Sequence, residues 1–349
     1  MKVYKNLFNK MISMESLLEA WDEFKKEKRK KLDVQEFEFR LEDNFFQLHR
    51  DLKNKKYRHG EYEGFFIRDP KIRKIHKAKV RDRIVHHIIF KHLNPIFEPT
   101  FISDSYSCRK GKGTYRGVKR LEVFARKVYQ TFGNCFILKC DIKKFFPSLN
   151  HKILLDIIDK RIKDKDVLRL LKTVVDSFAS EFSDGKDLKG APIGNLTSQL
   201  FANIYMDKLD QFIKHKLRVK YYIRYTDDFI ILHQNKDYLL RIKNEITNFI
   251  ESRLKLSLHP EKVSIRKYHQ GIDFLGYVTL PKALVLRTKV RHRIFKKLKQ
   301  KVEQFKTGKI KEETLLRSVD SYLGVLSHAN SYKLEQELRQ KLWQWLKEP

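Results

Sequence analysis

Cysteine and long apolar segments are both scarce in this sequence of 349 residues. Its cysteines, Cys108, Cys135 and Cys140, form neither a Cys-x-x-Cys pair nor a Cys/His set with zinc-ligand spacing. This argues against a zinc module or a disulfide-stapled domain and favours reduced thiols in a cytoplasmic protein. No apolar run approaches the ~18–20 residues of a membrane-spanning helix, and the first segment, MKVYKNLFNKMISM, has no signal-peptide core. We therefore expect no membrane partner.

Acidic residues are outnumbered, with 43 Asp and Glu against 75 Lys and Arg and a formal net charge of +32. The basic excess is spread along the chain and is not gathered in one tail. A positive field of this size suits a polyanion such as RNA or DNA, although charge alone also fits a structural RNA binder or a membrane-surface protein. The hydrophobic content of 41% is enough for a packed core.

The chain divides into three blocks without an internal repeat or an obvious linker. Residues 1–133 are mainly helical, with a predicted hairpin in GFFIRDPKIRKIHKA and a loop rich in Gly, Lys and Arg in SYSCRKGKGTYRG. Residues 134–280 alternate strands and helices, as in an α+β sheet domain. Residues 281–349 are helical and start with a basic segment, 282–301, which holds nine Lys or Arg and no acid.

Charge is missing from residues 190–206, GAPIGNLTSQLFANIYM, although 34% of the whole chain is charged. This neutral stretch, as we call it, is predicted to form a turn followed by a helix that continues to about Leu217.

Two acidic motifs stand at the ends of apolar strands. Asp227 and Asp228 lie between the strands of KYYIRYTDDFIILHQ, and Asp141 ends the strand in NCFILKCDI. Taken singly, a hairpin turn explains the pair and a cap near Pro147 explains Asp141. Taken together, carboxylates from two adjacent strands suit Mg²⁺, and two such ions ~3.5–4 Å apart can support an in-line displacement at phosphorus. We expect Asp227 to be the closer ligand of the pair.

Five segments occur in the order and spacing of reverse transcriptase motifs: DIKKFFPSLNH, PIGNLTSQLFANIY, RYTDDFIIL, LSLHPEKVSI and GIDFLGY. Over residues 60–280 the chain resembles the group-II-intron-like bacterial branch of that family. The resemblance implies an α+β right-hand polymerase with fingers, a palm of antiparallel sheet and packed helices, and a helical thumb. It places the N-terminal helices and fingers in 1–133, the palm in 134–280 (with part of the fingers around 164–192), and the thumb in 281–349.

The resemblance also implies an enzyme, an RNA-directed DNA polymerase, with a two-metal site. Two Mg²⁺ ions, for which Mn²⁺ can substitute, would be held by Asp141, Asp227, Asp228 and the carbonyl of Ile142. Lys262 resembles a motif lysine near the leaving pyrophosphate. It would serve as a general acid or stand as a solvated strand lysine.

Contacts to the incoming nucleotide are expected from the hairpin and from the segment after Asp141. Arg73 would be the main triphosphate contact, assisted by Arg68 and Lys71; a general phosphate patch fits Lys71 equally well. Phe145 or Phe146 would stack under the sugar and exclude a 2′-hydroxyl. Spacing favours Phe146, and at least one of the two is expected in the core.

Template and primer contacts are expected from two further segments. Arg109, in the basic loop, is the best candidate for the template backbone. The turn of Phe274, Leu275, Gly276 and Tyr277 resembles a primer-gripping turn, in which the glycine allows close approach of the backbone. The basic segment 282–301 would begin the thumb and follow the duplex through its phosphates.

One residue difference indicates a particular group within this branch of the family. Ile193 stands where most group-II-branch relatives have Gln, and Ser198 and Gln199 follow; Ile193 and Gln199 are expected against the nascent base pair. Together with DPKIRKI, SQLFANIY, GIDFLGY and SYLGVLSHANSYKL, this resembles the reverse transcriptases of diversity-generating retroelements. An isoleucine cannot hydrogen-bond the nucleotide, and losing a contact of ~1–3 kcal/mol costs up to about two orders of magnitude in discrimination.

That resemblance implies error-prone cDNA synthesis from a template-repeat RNA. Its substrates would be template RNA, the cDNA or primer strand and dNTPs, and its partner a pentameric accessory variability determinant protein. A free-standing defence-associated enzyme or a group-II-intron-derived enzyme is the alternative. A non-catalytic RNA-binding protein is a weaker one.

Overall fold

The computed structural model describes residues 2–69, 71–185 and 187–348. The N-terminal block contains four short helices, a hairpin and two longer helices, as follows: α1 Phe8–Met11, α2 Met14–Lys25, α3 Leu32–Phe39, α4 Leu41–Lys53, β1 Glu63–Ile67, β2 Arg73–Lys77, α5 Val80–Phe97 and α6 Thr114–Phe132. Ser13 caps α2 by accepting a hydrogen bond from the Ser16 amide. The predicted hairpin is present, with Ile67 opposite Arg73; Pro70 lies outside the described residues.

The middle block alternates helices and strands: β3 Phe136–Asp141, α7 Phe145–Ser148, α8 His151–Asp159, α9 Lys165–Val175, α10 Leu196–Gln211, β4 Tyr221–Tyr225, β5 Asp228–His233, α11 Lys236–Phe249, β6 Ser264–Lys267, β7 Ile272–Phe274 and β8 Tyr277–Thr279. The last block holds β9 Leu284–Leu286, α12 Thr288–Lys306, α13 Glu312–Leu326 and α14 Tyr332–Lys347. The basic segment 282–301 therefore starts with a strand that pairs with β8, and its helix begins only at Thr288.

The central sheet has four antiparallel strands in the order β4-β5-β3-β6. Because side chains alternate between the two faces, Leu138 and Cys140 join the large core on one side. Ile137 and Ile230 join a second core on the other side, which includes residues of α6 and of the β7–β8 hairpin. The predicted α+β architecture is confirmed, and both faces of the sheet are covered.

The tip of the β1–β2 hairpin reaches the C-terminal helices. Asp69 forms an ion pair with Lys297 of α12. A separate apolar core joins α12, α13 and α14. Among the described residues, no helix is long and apolar enough to cross a membrane.

Candidate active site

The strand register brings two of the predicted carboxylates directly together. Asp141 at the end of β3 is the partner of Asp228 at the start of β5. Facing residues of an antiparallel pair project to the same side of the sheet, so both carboxylates lie on one face. Tyr225 also pairs with Asp228, which leaves Thr226 and Asp227 as a two-residue turn. Asp228 is thus the direct neighbour of Asp141, and the expectation that Asp227 is the closer metal ligand stays a prediction.

The pKa values of Asp227 and Asp228 show that too little positive charge lies nearby to offset their burial. Burial, and then repulsion from Asp228, raises the pKa of Asp227 to about 6. Burial also raises the pKa of Asp228, which Asp141 raises further and the Lys139 ammonium partly lowers. Crowded and desolvated carboxylates of this kind favour binding a cation.

Lys262 supplies one nearby cation. Its Nζ donates to Asp141 Oδ1 at 2.8 Å, and the lysine side chain remains 41% exposed. The preceding segment is held against the end of β3, because the His259 amide donates to the Asp141 carbonyl at 2.7 Å. Lys262 therefore contacts Asp141 while its side chain remains partly exposed to solvent.

Ile142, whose carbonyl was predicted as a metal ligand, forms an isolated antiparallel bridge with Leu258. The hydrogen bonds of this bridge come from its neighbours, Asp141 with His259 and Lys143 with Ser257. Neither hydrogen bond uses the Ile142 carbonyl, and the Ile142 side chain is buried in the large core.

The donor chemistry fits a hard divalent cation, since Asp141, Asp227 and Asp228 offer carboxylate oxygens, and burial raises the pKa of both Asp227 and Asp228. Among the described residues no group of three or more His, Cys, Asp or Glu side chains is already arranged to hold a metal. Instead, the Lys262 ammonium occupies Asp141 Oδ1. A cation binding at that oxygen would have to displace it.

A buried ion pair supports the acidic turn from behind, and sequence reasoning missed it. Arg224 of β4 and Asp210 of α10 are both fully buried, with Nη2 to Oδ2 at 2.7 Å. Arg224 Nη1 also donates to the Thr226 carbonyl at 2.9 Å, and Tyr222 Oη donates to Asp210 at 2.7 Å. The available signal was an arginine in an otherwise apolar strand, because such a residue needs a carboxylate partner.

The neutral stretch docks on the β1–β2 hairpin through its main chain. The Ile193 carbonyl accepts from the His76 amide at 3.0 Å, and Asn195 Nδ2 donates to the His76 carbonyl at 2.9 Å. Gly194 has φ +113, and a Cβ there would lie 2.8 Å from Ile75 Cγ2, so the close approach requires glycine. The Ile193 side chain is half-buried and Gln199 is exposed on α10.

The predicted triphosphate contacts Arg68, Lys71 and Arg73 are all exposed at or beside the hairpin tip. Phe145 is a core residue that is 2% exposed, which argues against its predicted contact with the nucleotide. Phe146 is half-buried, and its carbonyl accepts from the Ala191 amide at 2.9 Å. Of the two phenylalanines, Phe146 is the one beside the neutral stretch.

Arg109 is committed to internal contacts. Its side chain is 7% exposed and its Nε donates to Glu98 Oε1 at 2.8 Å. Its Nη1 donates to the carbonyls of Ile102 and Ser105. These bonds fold the basic loop and argue against the predicted template contact, since they already use the Nε and Nη1 groups of a mostly buried guanidinium.

The predicted primer-gripping turn is a two-residue connection between β7 and β8. Leu275 and Gly276 have φ values of 52° and 92°, while Phe274 and Tyr277 are buried and pair with each other. Tyr277 Oη donates to the Val325 carbonyl at 3.1 Å. The turn is therefore anchored to α13, and the partly exposed Leu275 and Gly276 form its tip.

The comparisons with known proteins agree with this geometry. A family model described as reverse transcriptase (RNA-dependent DNA polymerase) matches residues 67–279. Protein YkfC of Escherichia coli (strain K12) is 24% identical over 240 residues, covering 59% of this chain and 63% of that protein. Group II intron-encoded protein LtrA of Lactococcus lactis subsp. cremoris is 25% identical over 260 residues, covering 56% and 42%.

Two further similarities are weaker. The putative COX1/OXI3 intron 2 protein of Saccharomyces cerevisiae is 23% identical over 254 residues, covering 56% of this chain and 29% of that protein. The chain spans less than two thirds of the length of each of these relatives. A solved telomerase structure from Candida albicans, in complex with a fragment of telomeric RNA, has a TM-score of 0.49 at 13% identity and covers 84% of this chain and 56% of that one.

Proposed function

Because this chain belongs to the reverse transcriptase (RNA-dependent DNA polymerase) family, we propose that it is an RNA-directed DNA polymerase that extends a DNA strand on an RNA template with dNTPs. The observation that carries the proposal is the pairing of Asp141 with Asp228 at one end of an antiparallel sheet, with Asp227 in the adjoining turn. The family generally uses divalent metal ions, template nucleic acid and dNTPs.

Two Mg²⁺ ions, with Mn²⁺ as a substitute, would be held by Asp141, Asp227, Asp228 and the Ile142 carbonyl. When bound, such ions lower the pKa of the attacking 3′-hydroxyl and neutralise charge on the leaving pyrophosphate. Lys262 Nζ lies 2.8 Å from Asp141 Oδ1; on release from that carboxylate it would donate a proton to the leaving group.

The remaining residues bind and orient the substrates. Arg73, with Arg68 and Lys71, offers exposed cations on the hairpin to the triphosphate. Phe146 would lie under the sugar and make the enzyme prefer dNTPs. Leu275 and Gly276 would touch the primer backbone. The hairpin belongs to the fingers, the four-stranded sheet to the palm, and α12 to α14 to the thumb, with the domain limits given above.

A primer-extension assay tests the polymerase proposal. Wild-type protein should extend a DNA primer on an RNA template with Mg²⁺, whereas Asp227→Ala should lose synthesis by orders of magnitude yet still bind the RNA. If wild-type and variant protein both bind RNA and neither extends the primer, the non-catalytic RNA-binding alternative is correct.

The finer proposal is that the enzyme is part of a diversity-generating retroelement, acting in the cytoplasm with a pentameric accessory protein on a template-repeat RNA. Its support is Ile193, an aliphatic side chain in the turn that docks on the fingers hairpin. The intron-encoded relatives favour a group-II-derived enzyme as the second candidate. Sequencing the cDNA separates the two, because errors concentrated at template adenines support the retroelement and evenly spread errors support the alternative.

A further inference from the structure

A closed ring of hydrogen bonds joins the acidic turn to the basic loop and to the neutral stretch. Arg224 Nη1 donates to the Thr226 carbonyl at 2.9 Å and to Asn203 Oδ1 at 3.3 Å. Asn203 Nδ2 donates to the Ser107 carbonyl at 2.9 Å. Thr226 Oγ1 closes the ring by donating to Ser107 Oγ at 2.6 Å. The ring thus connects β4, α10, the turn and the loop after α5.

Three of the four members of this ring are shielded from water, and the fourth, Thr226, is half-buried. Ser107 is 3% exposed, Asn203 is 2% exposed and Arg224 is fully buried. Hydrogen bonds in such a low-dielectric site are stronger than at the surface, and a lost partner is costly because water does not replace it. The ring therefore fixes the relative positions of its segments.

Thr226 provides a second, independent sign of constraint. Its φ is 56°, in the left-handed region that β-branched residues rarely adopt. Strained residues of this kind persist only where their surroundings hold them, and they cluster at functional sites. Thr226 is held at its carbonyl by Arg224 and at its hydroxyl by Ser107.

The basic loop contacts the acidic turn through one residue and has other residues at the surface. Ser107 points inward to Thr226, while Lys110 is exposed and Lys112 Nζ donates to the Ser103 carbonyl. A displacement of the loop would act on the Ser107–Thr226 hydrogen bond, one residue before Asp227.

We propose that Ser107 and Thr226 are positioning residues. Their hydroxyl–hydroxyl bond holds the turn so that Asp228 faces Asp141 and Asp227 lies in the adjoining turn, and it couples the basic loop to these carboxylates. This inference rests on the polymerase function proposed above. It assigns no chemical step to either hydroxyl, because both act only through the turn.

The test compares Thr226→Val, Thr226→Ser, Ser107→Ala and the double variant Ser107→Ala/Thr226→Val in primer extension with the full chain. Valine keeps the shape of threonine and removes the hydroxyl, so we expect kcat to fall about tenfold, as the loss of one part-buried hydrogen bond predicts. The KM for dNTP and the affinity for primer–template should stay within about twofold. Serine should restore most of kcat, and the double variant should be no slower than the slower single one.

Thr226→Gly separates the hydroxyl from the backbone conformation. Glycine adopts the positive φ without strain but lacks the hydroxyl, so kcat should fall as in Thr226→Val. Thermal unfolding and primer–template binding, measured for every variant, identify any change that is merely structural.

Several results would overturn the proposal: a wild-type kcat in Thr226→Val or in Thr226→Gly, a Thr226→Ser variant as slow as Thr226→Val, or losses that multiply in the double variant. If Thr226→Val does not fold, Thr226→Ser and Ser107→Ala test the proposal without it. A wild-type kcat in Ser107→Ala would refute the proposal. A lowered kcat in Ser107→Ala, together with a nearly wild-type kcat in Thr226→Ser, would support it. Failure of the polymerase function itself would differ, because wild-type protein would then show no extension at all.

Discussion

Replacing Arg224 by methionine should destabilise the palm more than any loss of an exposed ion pair. The side chains of Arg224 and Asp210 are both 0% exposed, and three of the four hydrogen bonds that Asp210 accepts come from this guanidinium, at 2.7, 2.8 and 3.0 Å. Methionine would leave the Tyr222 hydroxyl as the remaining donor in that set and a buried carboxylate without its counter-ion. Breaking a buried pair from one side costs about 3–5 kcal/mol.

Urea unfolding followed by far-ultraviolet circular dichroism measures this loss. Tryptophan fluorescence is less suitable, because Trp21 lies in α2 and Trp343 and Trp345 lie in α14, outside the palm. The matched control is Arg317→Met, which removes an i,i+4 pair with Glu313 whose side chains are 77% and 71% exposed; it should change the free energy of unfolding by less than about 0.5 kcal/mol.

A double variant distinguishes the buried charge from a simple loss of packing. Arg224→Met/Asp210→Leu removes both charges and should recover more than half of the lost stability, since apolar replacement of a whole buried pair is often neutral. An Arg224→Met protein within about 1 kcal/mol of wild type, at unchanged m-value, would refute this reasoning.

Three substitutions test the nucleotide site. Ile193→Gln should lower the misincorporation frequency in sequenced cDNA and leave the enzyme active, because Gln can hydrogen-bond the nucleotide; an unchanged error frequency would refute that role. Phe146→Ala should allow rNTP incorporation in competition assays. Phe145→Ala, a core truncation, should instead lower the free energy of unfolding by about 3–5 kcal/mol. An unchanged preference for dNTPs in Phe146→Ala would contradict a contact between Phe146 and the sugar. Lys262→Met should lower kcat and change the KM for dNTP much less. The control is Lys255→Met, at an exposed lysine. Equal rates for the two variants would contradict a role for Lys262.

The strands and the acidic turn could be predicted because their patterns are local. Alternating apolar residues and the order of the motifs located β3, β4 and β5 around the correct residues. Which aspartate faces Asp141 depends on register, and register is fixed by the pairing of Tyr225 with Asp228 across a two-residue turn. Nothing in Tyr-Thr-Asp-Asp shows which of the two acids faces Asp141, and the expectation that Asp227 is the closer metal ligand stays a prediction.

Arg109 and Arg224 show what local sequence patterns could not predict. An arginine in a loop with Lys and Gly suggests phosphate binding, yet Arg109 is consumed by Glu98 and by backbone carbonyls that only folding brings near. Arg224 has its counter-ion 14 residues earlier, on a helix. Long side chains find their partners in three dimensions, and composition does not reveal which basic residues remain available to nucleic acid.

The docking of the neutral stretch on the fingers hairpin has a consequence for how this site can change over evolution. At position 193 the hairpin is held by a main-chain carbonyl, and its closest approach depends on Gly194. A mutation at residue 193 therefore alters the chemistry of its side chain while the carbonyl contact persists. Under the role proposed for Ile193, copying accuracy would change at this position without loss of the catalytic architecture, whereas the positive φ and close contact at position 194 favour glycine.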